Sequence, residues 1–319
     1  MLLHIALFLL GFVFLIKGGD WFVDAASAIA HRFNMPELLI GATVVSIGTT
    51  LPEVMVSAQG ALAGSGAIAF GNAVGSVICN TSLIAAITLL VRPAAVERRT
   101  LVLPSAAFFI AAAFYCFNAY AFGAFSRPAG FILLAMFVLY MVVTVLRMKR
   151  APASADDSAG ETGAPETTLL HDVLMLIVGA AVIAVGARLL VDNAQIIATA
   201  LGVPESVIAL TLVALGTSLP ELVTAITALI KGLSALSLGN IIGANLFNLV
   251  LVSGAATAIA PFSLASASAT SLSVDIPLML IVMLLMTVPA LATGRLRRWQ
   301  GAVLLAIYVG YCAFQFLVA

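Results

Sequence analysis

The sequence predicts an all-α polytopic membrane protein, with ten transmembrane helices arranged as two inverted five-helix repeats. Three observations carry that expectation. The chain of 319 residues is 63% hydrophobic and only 9% charged, whereas soluble domains carry about 25% charged residues. Apolar stretches of about 20 residues, long enough to cross a bilayer core, recur along its whole length. Finally, Gly48-Thr49-Thr50-Leu51-Pro52-Glu53 returns as Gly216-Thr217-Ser218-Leu219-Pro220-Glu221, at an offset of 168 positions.

The apolar stretches fall at roughly 3–29, 37–62, 67–91, 101–122, 129–147, 172–194, 205–230, 233–260, 273–293 and 299–318. A segment rich in Pro, Gly, Ser, Thr and acids interrupts them after Arg150. Such a composition cannot bury a core. Three regions follow: a first half over 1–150, a flexible cytoplasmic linker over 151–170, and a second half over 171–319. The first sixteen residues imitate a signal peptide, but they have a counterpart in the second half and are read as part of the fold.

The halves align without a gap from Asp24 to Asn80. At the same offset Asp24 meets Asp192, Pro36 meets Pro204, Glu37 meets Glu205, and Gly71-Asn72 meets Gly239-Asn240. Gly75 meets Gly243 and Asn80 meets Asn248. Basic residues orient the chain, because cytoplasmic loops carry the excess of Lys and Arg. With the amino terminus outside, Arg32, Arg92, Arg98, Arg99, Arg147, Lys149, Arg150, Lys231, Arg295, Arg297 and Arg298 all face the cytoplasm. Both termini are then outside a bacterial-type inner membrane. Five spans per half force the second half to enter from the opposite side, an architecture that places a substrate site at the midplane between repeats.

The motif itself sets the chemistry. Proline lacks an amide hydrogen and clashes with the carbonyl four residues back, so Pro52 frees the carbonyl of Gly48 and Pro220 that of Gly216. Freed carbonyls are tolerated at membrane depth only where they line a cavity or are buried in protein. Glu53 and Glu221 add carboxylates, each costing roughly 2.5–3.5 kcal/mol at a helix centre on insertion scales. A hard cation ligated by oxygen offsets both penalties.

Helical spacing collects further oxygens. Ser46, Thr49 and Glu53 share one face, as do Thr217 and Glu221. Asn72, Ser76 and Asn80 line a stripe in the next span, and Asn240, Ala244 and Asn248 line its counterpart. The set contains neither histidine nor thiol, and all-oxygen ligation favours Ca2+, Na+, Mg2+ or Mn2+ over zinc or copper. A purely structural reading would make the two glutamates hydrogen-bonded core acids and Asn80 and Asn248 interhelical glue. The symmetric pairing beside expected helix breaks favours ligation. Asn72 and Asn240 read as structural, and the hydroxyls of Ser46, Ser76, Thr50 and Ser218 are divided between ligation and bonds to their own backbone.

Elsewhere, Lys17 with Asp20 and Arg188 with Asp192 read as local pairs, and Asp24 and Asp275 as interfacial. Cys79, Cys116 and Cys312 read as small hydrophobes. His4, His31 and His171 form no cluster. Zero formal net charge leaves no nucleic-acid footprint.

With both motifs, each followed by a GNxxGxxxN stretch, the chain resembles the cation/Ca2+ exchanger superfamily, in particular its prokaryotic Na+/Ca2+ exchanger branch. The resemblance implies that Glu53 and Glu221 are shared ligands of Ca2+ and Na+. Thr49 and Thr217 would coordinate through hydroxyl and backbone oxygens, and Asn80 would supply its amide at the centre. Thr50, Ser218, Ser76 and the carbonyls near Ser46 and Ala214 would line Na+ sites. Ala244 departs from the pattern by lacking the hydroxyl of its partner Ser76. Asn248, where an acid accompanies K+ co-transport in another branch, implies K+-independent exchange. Spans one and six would be the mobile gating pair.

The expected function is antiport of Ca2+ against Na+ within the lipid bilayer, without an enzymatic step or a cofactor, and with the oligomeric state, monomer included, left open. H+/Ca2+ exchange is the alternative, since shielded carboxylates can carry protons. A passive cation channel fits inverted repeats less well. An intramembrane enzyme is disfavoured because the chain has no HExxH and no nucleophile–base constellation.

Overall fold

A computed structural model describes residues 1–33, 35–64, 66–150, 167–201, 214–264 and 271–318. We label the helices α1 (Leu2–Arg32), α2 (Glu37–Leu62), α3 (Ile68–Val91), α4 (Arg98–Phe122), α5 (Arg127–Arg147), α6 (Leu169–Ala200), α7 (Leu219–Ile230), α8 (Ser234–Ile259), α9 (Leu272–Thr293) and α10 (Arg298–Val318). Among the described residues, α1 to α6, α8 and α9 are the eight counted as long and apolar enough to cross a membrane. This is a mostly helical integral membrane protein. The candidate span 205–230 is described only as a turn of helix, Ala214–Thr217, followed by α7; Pro204 and Glu205 lie outside the described residues. So does most of the expected linker, and α6 starts at Leu169 with the Thr168 hydroxyl accepting from the amide of His171.

Burial sorts the helices into shells. The most apolar stretch of α8 is 89% buried and that of α3 72% buried, against 22% for α1 and 28% for α6. Thus α3 and α8 form the centre, while α1 turns Leu9, Phe12, Val13 and Ile16 outward, as lipid contact requires. Lipid supplies no hydrophobic drive between helices, so close packing has to hold them. The α1–α6 contact shows how. Gly11 lies against the backbone of Gly186 and Leu190, and Gly18 against that of Gly179 and Ile183. Rising numbers in one helix meet falling numbers in the other, so the pair runs antiparallel.

Two short antiparallel ribbons join the halves. Strand β1 (Ala94–Ala95) pairs with β4 (Arg295–Leu296), and β2 (Ala124–Phe125) pairs with β3 (Phe262–Ser263). Gly123 and Gly294, immediately before β2 and β4, both adopt positive φ (58° and 67°), a conformation open to glycine because it lacks a Cβ.

Two expectations are corrected by the fold. The helix does not break at Pro52: Ser46–Leu62 continues through it, preceded by a wide π-turn at Gly41–Val45. Losing one amide donor does not end a helix whose flanks are packed on both sides. In the second half the interruption is real, at Ser218, and Pro220 sits in the first turn of α7, where its missing donor costs nothing. Nor does Asp20 pair with Lys17. Lys231, in the turn between α7 and α8, reaches Asp24 at 2.7 Å and Asp20 at 3.5 Å, whereas Lys17 is on the exposed face of α1. Arg188 and Asp192 do pair, at 3.5 Å.

Candidate cation site

The site lies where α2 and α3 of the first half meet α7 and α8 of the second. Helix α2 packs against the π-turn Asn248–Val252, and α7 packs against the π-turn Asn80–Ala85. Each motif helix therefore faces the asparagine of the other half. Both asparagines open their π-turns, at positions separated by the repeat offset. Such turns displace one residue from the regular hydrogen-bond ladder and are frequent at functional sites.

The structure brings most of the sequence-predicted residues together. Glu53, Glu221, Asn80, Asn248 and Thr50 are completely buried, and Ser218 is 1% exposed. Neither oxygen of either carboxylate has a hydrogen-bond partner, nor do the amide atoms of Asn80 and Asn248 or the hydroxyls of Thr50 and Ser218. Glu53 and Glu221 are close enough to repel each other. Ser218 and Glu221 are both near Cys79, the residue preceding Asn80, so the α7 motif and the Asn80 turn adjoin. Ser76 is buried, and Thr217 is half-buried. Ala214 opens the short helix that ends at Thr217.

That pattern decides what the arrangement can do. A buried polar group without a partner costs about 1–3 kcal/mol, and more when charged. Two neighbouring buried carboxylates, with unsatisfied amide and hydroxyl groups on the elements packed against them, can therefore accommodate a positive species. The donor set is oxygen throughout, which suits a hard cation with flexible coordination.

Ser46 and Thr49 are used differently. The Ser46 hydroxyl donates to the carbonyl of Gly41 at 2.7 Å and to that of Asn240 at 3.0 Å. Thr49 donates to Asn240 Oδ1 at 3.2 Å. Asn240 in turn donates to the Thr224 hydroxyl at 2.9 Å, and Thr224 closes onto the carbonyls of Pro220 and Glu221. One amide thus ties the first motif helix to the second. Asn72, its repeat counterpart, donates to the carbonyl of Glu53 and to Ser57. Sequence reasoning passed over Thr224 and Ser57, which have no counterpart at the repeat offset and so gave no signal. Replacing Asn240 by Ala should remove the side-chain bonds that link Thr49 to Thr224 across the halves, leaving those hydroxyls only carbonyls of their own helices, and cost on the order of 1–3 kcal/mol. The expected result is a lower melting temperature in detergent together with weaker Ca2+ binding; unchanged values for both would remove Asn240 from the scaffold.

The family described as sodium/calcium exchanger protein matches residues 3–146 and 171–317. The sodium/calcium exchanger MaX1 of Methanosarcina acetivorans is 32% identical over 349 aligned positions, covering 97% of each chain. The inner membrane protein YrbG of Escherichia coli is 36% identical over 269, covering 82% of this chain and 81% of its own. Solved structures of the sodium-calcium exchanger NCX_Mj superpose with a TM-score of 0.80 at 31% identity, covering 98% of both chains.

Proposed function

Because this chain belongs to the sodium/calcium exchanger protein family, we propose that it is a secondary antiporter exchanging Ca2+ for Na+, with the ions held between Glu53 and Glu221. The observation that carries this reading is the pair of fully buried, unpartnered carboxylates contributed by opposite halves. Two negative charges balance one Ca2+ or two Na+, so either occupant satisfies the site and an empty site is costly. That is the condition for coupled exchange. The likeness to NCX_Mj, whose structures come from soaks with Na+, Ca2+ or Sr2+, supports the same substrates here.

Alternating access follows from ten spans in two inverted repeats. Several features support that architecture. The glycines of the α1–α6 contact, Gly11 with Gly179 and Gly18 with Gly186, are repeat partners. The two ribbons exchange roles as an in-plane two-fold would require, β1 corresponding to β3 and β4 to β2. Phe22 of α1 lies on Gly48, and Val191 of α6 lies on Gly216, so each peripheral helix touches the glycine of one motif. A shift of either helix would uncover one side of the site.

Within this reading Thr49, Thr50, Thr217, Ser218, Ser76, Asn80 and Asn248 contribute neutral oxygens, with backbone carbonyls near Ser46 and Ala214. An uncharged Asn248 gives no third negative charge for a co-transported K+, so exchange is K+-independent. The membrane is a bacterial-type inner membrane with both termini outside. The test uses proteoliposomes: Ca2+ uptake should follow an outward Na+ gradient and not a pH gradient or K+. Uptake driven equally by pH alone would transfer the assignment to H+/Ca2+ exchange.

A further inference from the structure

Away from the cation site, the β1–β4 ribbon gathers an unusual amount of positive charge. The ends of α3 and α9 and the starts of α4 and α10 all meet there. An open-sided cavity of about 540 Å3 lies along the ribbon, lined by Pro93, the strand residues, and Arg295, Arg297 and Arg298. Arg92, Arg98 and Arg99 flank it in sequence on the β1 side. Arg98 donates to the carbonyl of Ala292 at 2.5 Å, fastening the two sides. Glu97, exposed at the start of α4, is the acid of this stretch. Among the described residues no salt bridge involves any of the six arginines.

Helix physics makes the cluster more demanding. Neither α4 nor α10 has an acid in its first turn. Arg98, Arg99 and Arg298 stand instead at helix starts, where the macrodipole is already positive and cations are unfavourable. The opposite ribbon shows that the fold does not require this. There β2 and β3 close with Phe125 and Phe262, ring centroids 5.4 Å apart, beside the lone Arg127. Retention of positive charge on the cytoplasmic side explains the sign of the cluster but not its convergence on a cavity.

We propose that the β1–β4 cavity binds the phosphodiester headgroup of an anionic phospholipid. Arg295, Arg297 and Arg298 supply forked donors that match phosphate oxygens. Lipid is the source favoured over free phosphate because four membrane helices end around the cavity. Trp299, next to Arg298, is 49% exposed, as an interfacial anchor would be. The bound lipid would clamp the first half to the second on the cytoplasmic side, and it is separate from the cations transported.

The test uses the purified full-length protein, read by native mass spectrometry with phosphatidylglycerol, phosphatidylcholine or inorganic phosphate. Phosphatidylglycerol should bind in preference to phosphatidylcholine. The R295K/R297K/R298K variant keeps every charge, and hence the membrane orientation, but loses the forked geometry. Its affinity for phosphatidylglycerol should fall about tenfold, the loss of one charge-assisted contact. Equal binding of the two lipids, or an unchanged affinity in the variant, overturns the proposal. Complete displacement of lipid by millimolar inorganic phosphate overturns it in favour of a free-anion site. Were the variant not to insert, the lipid preference and phosphate competition of the unsubstituted protein decide the matter.

Discussion

Substituting Glu53→Gln or Glu221→Gln should each reduce Na+-driven Ca2+ flux in proteoliposomes to the level of empty vesicles, while the protein still inserts. Both carboxylates are fully buried and neither has a protein partner. Each substitution removes half of the negative charge available to a divalent ion, and the remaining carboxylate cannot neutralise it. Altering residues that merely orient metal ligands costs about 10–100-fold in affinity, so losing a direct ligand should exceed about 100-fold. Insertion should be unaffected or easier, because an uncharged side chain avoids roughly 2.5–3.5 kcal/mol at a helix centre. Isothermal titration with Ca2+, alongside flux, separates binding from transport. Near-normal flux in both variants would remove the glutamates from the ion path.

The second large effect is expected at Gly239. A Cβ there would lie 2.1 Å from the carbonyl oxygen of Leu38, and at Gly41 across the contact it would lie 2.3 Å from that of Leu236. Real Cβ atoms do not approach oxygen so closely, and main-chain atoms of a packed helix cannot step aside. Gly239→Ala should therefore force α2 and α8 apart. Overpacking typically costs 1–3 kcal/mol, and a main-chain clash on this scale should reach at least the upper end. The displacement passes directly to Asn240, whose side chain holds Ser46 and Thr49, so Ca2+ affinity should fall with stability. Melting in detergent and Ca2+ titration of the same sample check both. A stable variant with unaltered affinity would mean that the α2–α8 approach does not set the site geometry.

The legible part of this molecule was what local chemistry dictates. Long apolar runs have one stable solution in lipid, a helix, so the helices appear close to where composition places them. Glu53 and Glu221 stood out because a charge in such a run demands a reason, and Asn80 and Asn248 because they recur at the same offset. Pro52 was misleading. Its chemistry fixes which hydrogen bond is lost but not whether the surrounding packing preserves the helix, and here it does. Asp20 was misleading for a related reason. Lys17 is its neighbour along α1, yet Lys231, more than 200 positions away, lies closer to its carboxylate.

By itself the amino-acid sequence determined the membrane character, the recurrence of the motif at a fixed offset and the identity of the buried carboxylate pair, since these depend on residue type and on distance along the chain. Only the tertiary structure decided that each motif helix faces the asparagine of the other half, that Asn240 bridges the motif helices, and that Pro93–Ala95 and the arginines at 295–298 line one cavity. They depend on contacts between segments more than 130 residues apart. They are set by how closely glycine-lined helices can approach, and no pattern within a single segment encodes that distance.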